Sequence, residues 1–441
     1  MLPHAARLPR TSSCRHGSAT DHPAAPTAQV TRTVGAMRFD YDYVIVGGGM
    51  AADAAARGIR EIDPSGSIAI LGEEAEPAYE RPPLSKDLWR DPSGREPFLG
   101  TDEAAGAQVH TSMRVTALDR GARTVRADDD LYSYRALLLA TGGRPRELNL
   151  GPSAQVVYYR TIDDYHRARA LAGREVIVVG GGFIGTEMAA GLAMAGSKVT
   201  FLTPDDEVGA RTYPPGLQHR IRRTFEEHGV IVRTATTARW LEHTSPESVT
   251  VHADTSGTAV SFAGAGVVLG LGIVPNVELA EAAGLPVDNG VVVDRFLRTV
   301  DPLVFAAGDI AGYPDAILGR RRVEHVDQAT MSGRAAGRAM AATLAGAPLE
   351  PYEHTPFFYS DIFDLGYEAV GILDSSLDLL EDWAVPDDTG VVYYSRDGAL
   401  VGVLLWNVWD STDAARALMR QYREPGSLED LIVLKGAIPT S

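Results

Sequence analysis

Apolar runs of strand length recur along this chain, and several are followed at once by glycine and an alanine-rich helical stretch. Residues 42–46 (Asp-Tyr-Val-Ile-Val) make one such run, followed by Gly47-Gly48-Gly49 and a helix predicted to about Ile59, with a second strand at 67–71. The same device returns at 175–179 (Glu-Val-Ile-Val-Val), then Gly180-Gly181-Gly182, a helix through about Ala195 and a strand at 198–202. Strands joined through glycine to helices are the crossovers of a parallel sheet. Two of them about 130 residues apart predict two related nucleotide-binding units. From about residue 346 the pattern changes. Prolines, aromatics (Phe357, Phe358, Tyr359, Phe363, Tyr367) and alternating runs at 391–395 and 400–405 predict an antiparallel C-terminal domain, closed by a helix over 411–422.

The glycines carry the first candidate chemistry. In Gly47-x-Gly49-x-x-Ala52, Gly47 permits a tight turn, Gly49 lets backbone approach a pyrophosphate, and Ala52 is small enough for helix–strand packing. The N–H groups opening the helix would face the phosphates. Glu73 lies 26 residues after Gly47, where an acid can hold a ribose diol. The second motif, Gly180-x-Gly182-x-x-Gly185, has Asp205 at a spacing of 25. A lone glycine turn is weak evidence; two in strand–turn–helix context, each with an acid at matching distance, are strong. Further apolar strands end in glycine at 137–143, 271–276 and 304–309, the last with Asp309 just past the strand end, where an acid can bond a flavin's ribityl chain.

Composition narrows the classes. With 441 residues, 45% hydrophobic and 22% charged, the chain is a folded protein of two to four domains. Its apolar runs are too short to span a bilayer, so no membrane span is expected. A net charge of −17 repels phosphate backbones, and nucleic-acid binding is not expected. Of the 41 basic residues only Lys86, Lys198 and Lys435 are lysines, so each asks for a reason. The single cysteine, Cys14, excludes an intramolecular disulfide and a Cys-x-x-Cys pair. No His, Asp and Glu cluster stands at metal spacing, and no metal is expected. Residues 1–36 have no hydrophobic period and no apolar stretch of a secretory signal. They are expected to be a disordered tail or to lie upstream of a true start at Met37, and the protein is expected in the cytoplasm.

The run Tyr79-Glu80-Arg81-Pro82-Pro83-Leu84-Ser85-Lys86-Asp87-Leu88-Trp89 and the run Gly319-Arg320-Arg321-Arg322-Val323-Glu324-His325 resemble the flavoprotein pyridine-nucleotide oxidoreductases. So do Phe358-Tyr359-Ser360-Asp361, Gly366-Tyr367-Glu368 and Val401–Asn407. The branch is that of oxygenase-type ferredoxin reductases and apoptosis-inducing factor. The last two pieces are nearer the latter. The resemblance covers about Asp42 to Arg420 and implies an α/β fold of two Rossmann-like dinucleotide-binding domains plus a C-terminal α+β domain. The FAD domain would be split, at 37–160 and 285–345, around an NAD domain at 161–284, with an interface domain at 346–441.

The resemblance also implies sites. Gly47, Gly49, Ala52, Glu73, Arg81, Lys86, Val115, Arg146, Asp309 and His325 would contact FAD. Tyr359 would lie by the isoalloxazine, where the family has tryptophan, which reduces the stacking area. Gly182, Phe183, Ile184, Gly185, Asp205, Arg211, Gly272, Glu324 and Glu368 would face NADH. Lys86 and Glu187 are the candidate catalytic pair. A fixed cation stabilises negative charge arriving at a flavin, and a buried ammonium needs a partner, which Glu187 can supply. The helix beginning near Val326 would point its positive end toward the flavin. His325 reads as cofactor-binding, and Arg320–Arg322 as a solvated turn or a docking patch for an acidic partner.

Where disulfide reductases of this fold carry a cysteine pair, this chain has Pro-Pro-Leu-Ser-Lys, so electrons must leave the flavin directly. The expected function is an FAD enzyme taking hydride from NADH and passing electrons to a ferredoxin-like carrier. The alternatives are a redox-sensing flavoprotein acting through a charge-transfer complex, homodimer formation or partner docking, and a quinone reductase.

Overall fold

The computed structural model describes residues 29–33, 36–94 and 97–440. The first α/β unit opens with β1 (Tyr43–Val46), α1 (Met50–Arg60) and β2 (Ile68–Leu71), then adds β3 (Gln108–His110) and β4 (Ala136–Leu139). The chain leaves it to build a second unit from β5 (Val156–Tyr158), β6 (Glu175–Val179), α2 (Phe183–Met194), β7 (Lys198–Leu202), β8 (Ile231–Arg233) and β9 (Gly266–Leu269). These strands form a parallel sheet in the order β5-β9-β6-β7-β8. The chain then returns with β10 (Val304–Ala306), which pairs parallel with β4 and completes the first sheet as β10-β4-β1-β2-β3. One sheet is thus split in sequence, with the other inserted.

The central strands of the first sheet are apolar because helices and loops cover both faces, the condition for a parallel sheet; β1, β2 and β4 are buried at every position. Their ends are level, Val46 facing Leu71 on one side and Leu139 on the other. The chain therefore turns into α1 at a common edge. Helix α3 (Val326–Ala345) lies against α1 at backbone contact. A Cβ added at Gly333 or Gly337 would strike the carbonyl of Ala51 or Ala55.

The C-terminal domain is an antiparallel sheet of β11 (Phe357–Ile362), β12 (Leu365–Gly371), β13 (Asp378–Val385), β14 (Thr389–Arg396) and β15 (Ala399–Trp406), in the order β11-β12-β15-β14-β13. Helix α4 (Thr412–Gln421) covers one face, where Val403 and Leu405 pack with Met419. The other face joins the second unit: Tyr367, Tyr394, Leu404 and Trp406 share one core with Trp89, Met188 and Tyr213. β15 is buried at every position for that reason.

Among the sheets the sequence pattern missed, the two largest are a mixed sheet, with 36–40 parallel to 130–133, and an antiparallel one. One joins 29–33, 36–40, 115–119, 124–127 and 130–133, and the other joins 236–245, 248–255 and 258–264. The longest strand, 236–245, is mostly exposed and polar and offers no apolar period to read. The strand Gln29–Thr33 also lies inside the segment expected to be a disordered tail, and pairs antiparallel with Ala36–Asp40. Backbone pairing of this kind needs no hydrophobic period. The rest of that tail, 1–28 with 34–35, lies outside the described residues, and Cys14 with it. Among the described residues no helix is long and apolar enough to cross a membrane.

Candidate functional site

Both glycine motifs sit where a strand turns into a helix. Gly47 (φ +113°) and Gly180 (φ +116°) adopt a backbone that side chains avoid, and a Cβ at either would strike a carbonyl, that of Ala140 or Gly270. Each is bonded to the neighbouring strand, Gly47 N–H to Leu71 at 2.8 Å and Gly180 N–H to Leu202 at 2.9 Å. The next glycines behave differently. A Cβ at Gly182 would meet nothing, and at Gly49 only the tip of Arg81. No side chain caps α1 or α2. A glycine edge kept open before an uncapped helix fits the pyrophosphate of a dinucleotide.

Around the first motif the side chains form a chain of contacts. Glu74 accepts from the Tyr79 hydroxyl and from Arg81; burial raises its pKa, but Arg81 and Tyr79 outweigh that and hold the carboxyl below its usual range. Arg81 donates to the Arg160 carbonyl at 2.8 Å, and Arg160 pairs with Asp309 at 2.7 Å. Glu74 and Arg160 were missed by sequence reasoning. Glu73, the residue at the expected spacing, is exposed and 3.6 Å from Arg114, next to Val115 at the start of a strand. Arg146 is exposed in the link between the units, its backbone N–H bonded to the Gly272 carbonyl at 2.9 Å. It thus lies beside a residue expected to face NADH.

His325 stands at the N-cap of α3 and stacks on Phe358 at 4.5 Å, with Phe183 of α2 5.4 Å from Phe358. Burial pushes the imidazole down to about 4, so the ring is neutral at neutral pH. One turn into α3, Gln328 accepts from Tyr352, while its buried Nε2 has no partner. Of the arginines expected on a solvated turn or a docking patch, Arg320 is exposed and donates to the Val293 carbonyl at 3.0 Å, and Arg322 is half-buried and donates to the Asp309 carbonyl at 3.0 Å. Arg322 also pairs with Glu324 at 2.7 Å.

The second motif has Asp205 past the end of β7. Arg211 donates to its Oδ1 through Nε at 2.8 Å and through the terminal nitrogen at 2.5 Å, leaving Oδ2 free. The segment carrying Arg211 is tied to the C-terminal domain: Ser375 N–H bonds the Arg211 carbonyl, Tyr394 bonds the Thr212 carbonyl, and the Tyr213 hydroxyl donates to Tyr367 at 2.7 Å. Beside Tyr367, Glu368 has a buried Oε2 without a partner, and burial and then Asp410 push its carboxyl up. An orphaned polar atom near a domain junction fits a ligand's polar group.

A charged pair joins the first unit to α2 of the second. Lys86 Nζ is 2.7 Å from Glu187 Oε1, with side chains only 9% and 2% exposed. The ammonium also sits 5.1 Å from the centre of the Tyr359 ring, whose hydroxyl burial pushes well up.

The sequence pattern of the pyridine nucleotide-disulphide oxidoreductases matches residues 41–333. This chain belongs to that family. It is an oxidoreductase with FAD and NAD(H) as its cofactors. The chain is similar to the ferredoxin–NAD(+) reductase component of the anthranilate 1,2-dioxygenase system of Burkholderia cepacia, at 34% identity over 86% of this chain and 93% of that protein. It is also similar to mitochondrial apoptosis-inducing factor 1 of Dictyostelium discoideum, at 32% identity over 90% of this chain and 81% of that protein. Among solved structures, the covalent putidaredoxin reductase–putidaredoxin complex matches with a TM-score of 0.76 and 30% identity, over 87% of this chain and 94% of that one.

Proposed function

We propose that this protein takes hydride from NADH onto FAD and passes electrons one at a time to a ferredoxin-like protein in the cytoplasm. The observation that carries the reading is the buried Lys86–Glu187 pair in a chain with one cysteine; Lys86 ends the Pro-Pro-Leu-Ser-Lys stretch where the resemblance implies a cysteine pair in disulfide reductases. FAD supplies the chemistry of accepting a two-electron hydride and releasing single electrons. The protein's part is to bind, orient and supply charge. In this reading Gly47, Gly49, Ala52, Arg81, Asp309, His325 and Tyr359 hold the flavin nucleotide, with Glu73, Val115 and Arg146 at its margins. Gly182 to Gly185, Asp205, Arg211, Gly272, Glu324 and Glu368 hold NADH. Lys86 offers a fixed positive charge, worth up to about 4 kcal/mol at 4 Å and an effective dielectric of about 20. Glu187 keeps that charge in place. A neutral His325 adds no competing charge.

The test is anaerobic reduction by NADH, then rapid mixing with a ferredoxin, cytochrome c and a quinone. Fast oxidation by the one-electron protein carrier supports the reading; preference for the quinone overturns it. The second reading, a redox sensor, draws on Gly366-Tyr367-Glu368 and Val401–Asn407 and on the likeness to apoptosis-inducing factor. A reduced protein that every acceptor reoxidises slowly would favour it.

A further inference from the structure

Both oxygens of the Glu187 carboxylate are engaged, by donors from two other parts of the chain. Lys86 donates to Oε1 at 2.7 Å and Ser360 to the same oxygen at 2.6 Å, while Ser85 donates to Oε2 at 2.5 Å. Ser85 ends the short 3-10 turn of the first unit, Glu187 lies on α2 of the second, and Ser360 lies on β11 of the C-terminal domain. Ser85 is 6% exposed and Ser360 1%. On β11 the inward positions are Phe358, Ser360 and Ile362, so a hydroxyl interrupts an apolar face. Packing alone gives no reason for it, since a buried hydroxyl without a partner costs stability.

We propose that Ser85 and Ser360 are positioning residues for the Lys86 ammonium, acting through Glu187. The proposal rests on the role given to Lys86 above. Lysine carries its charge on a flexible four-carbon stem, and the last torsion of glutamate is broad. One contact between two such groups fixes neither. Donors on both carboxylate oxygens stop the carboxylate turning, and the ammonium then has one place to rest. A competing acceptor is at hand: Asp361, whose carboxyl burial pushes up, feels the charge of Lys86 and of Glu187. The other polar groups facing this corner are Arg90, which also acts on Asp361 and more strongly than Lys86, with Tyr159, Tyr213, Tyr359, Tyr367, Glu80 and Asp87. With the serines gone, Lys86 is free to lean toward Asp361 and away from its working position.

The experiment compares Ser85→Ala, Ser360→Ala, the double variant and Ser360→Thr, all loaded with FAD and matched by circular dichroism and flavin content. The flavin potential is measured by equilibrium titration against a reducing dye, which involves no NADH. Reduction by NADH is followed separately by stopped flow. The double variant should show a lower potential and reduction by NADH slowed on the order of tenfold, the weight of one charge-assisted hydrogen bond. Ser360→Thr, which keeps the hydroxyl, should restore most of both. An unchanged potential in the double variant overturns the proposal. If the double variant does not hold FAD, the same criterion applies to Ser360→Ala alone. Unmodified protein whose flavin NADH does not reduce overturns the functional reading instead, while the dye titration still decides the role of the serines.

Discussion

Lowering the pH should cost this protein stability through His325. The imidazole is buried at the start of α3 against Phe358, and burial pushes it from 6.5 down to about 4. Asp309 and Asp327 pull the other way and Arg321 adds to the fall, but burial dominates. In the unfolded chain the same group takes up a proton near 6.5. Above that value both states are neutral and nothing is lost. Between about 6.5 and 4 the unfolded chain binds a proton that the native protein refuses, so stability falls with pH across that window. At about 1.4 kcal/mol per pH unit, the full loss is about 3 kcal/mol. His325→Asn removes the titration and keeps a neutral polar side chain. Denaturant unfolding of both proteins, at matched flavin content, should give curves that converge as the pH falls. Their difference isolates His325, because His110, also held down by burial, and the low carboxylates Glu74, Glu61 and Asp63 are common to both. A histidine Cε1 proton resonance, assigned by its loss in the variant, should titrate near 4. A resonance titrating near 6.5, with parallel stability curves, would refute the reasoning.

Four further outcomes are expected. Lys86→Ala should stay folded but show a lower flavin potential and slower reduction by NADH, since Glu187 is left buried without its cation; unchanged values would remove Lys86 from the site. Arg160→Gln should weaken FAD retention by about tenfold, because Asp309 loses a partly buried partner at 2.7 Å, as read by flavin release on dilution; full retention would show that Arg160 only ties the loop. NADH should be preferred over NADPH by ~10²-fold in kcat/KM, and Asp205→Ser should narrow the gap; equal use of both by the unmodified protein would mean that Arg211 turns from Asp205 toward a phosphate. Gly337→Val should lower unfolding stability by about 1–3 kcal/mol, since its side chain would enter the Ala55 backbone; an unchanged melting temperature would mean that α1 and α3 separate freely.

What the sequence determined by itself is whatever depends on near neighbours. Strand periods and glycine turns marked β1, α1, β6, α2 and β7 to within a residue or two at either end, because those signals are local. The alternating runs likewise marked β14 and β15. The scarcity of lysine drew attention to Lys86 before any contact was visible. The tertiary structure decided the rest. Glu74 rather than Glu73 meets Arg81, because successive residues in extended chain face opposite ways and only the packed loop selects one. Arg160 has no motif; it matters because the crossing between the units carries it to Asp309, 149 positions away. The arginines at 320 and 322 look like a charged surface run; Arg320 is indeed exposed, but which backbone carbonyls the two bond is set only by folding. Ser360 lies 173 positions from Glu187, and no spacing rule links them. A buried carboxylate collects its donors from whichever elements close around it, and that set exists only once the three domains have packed.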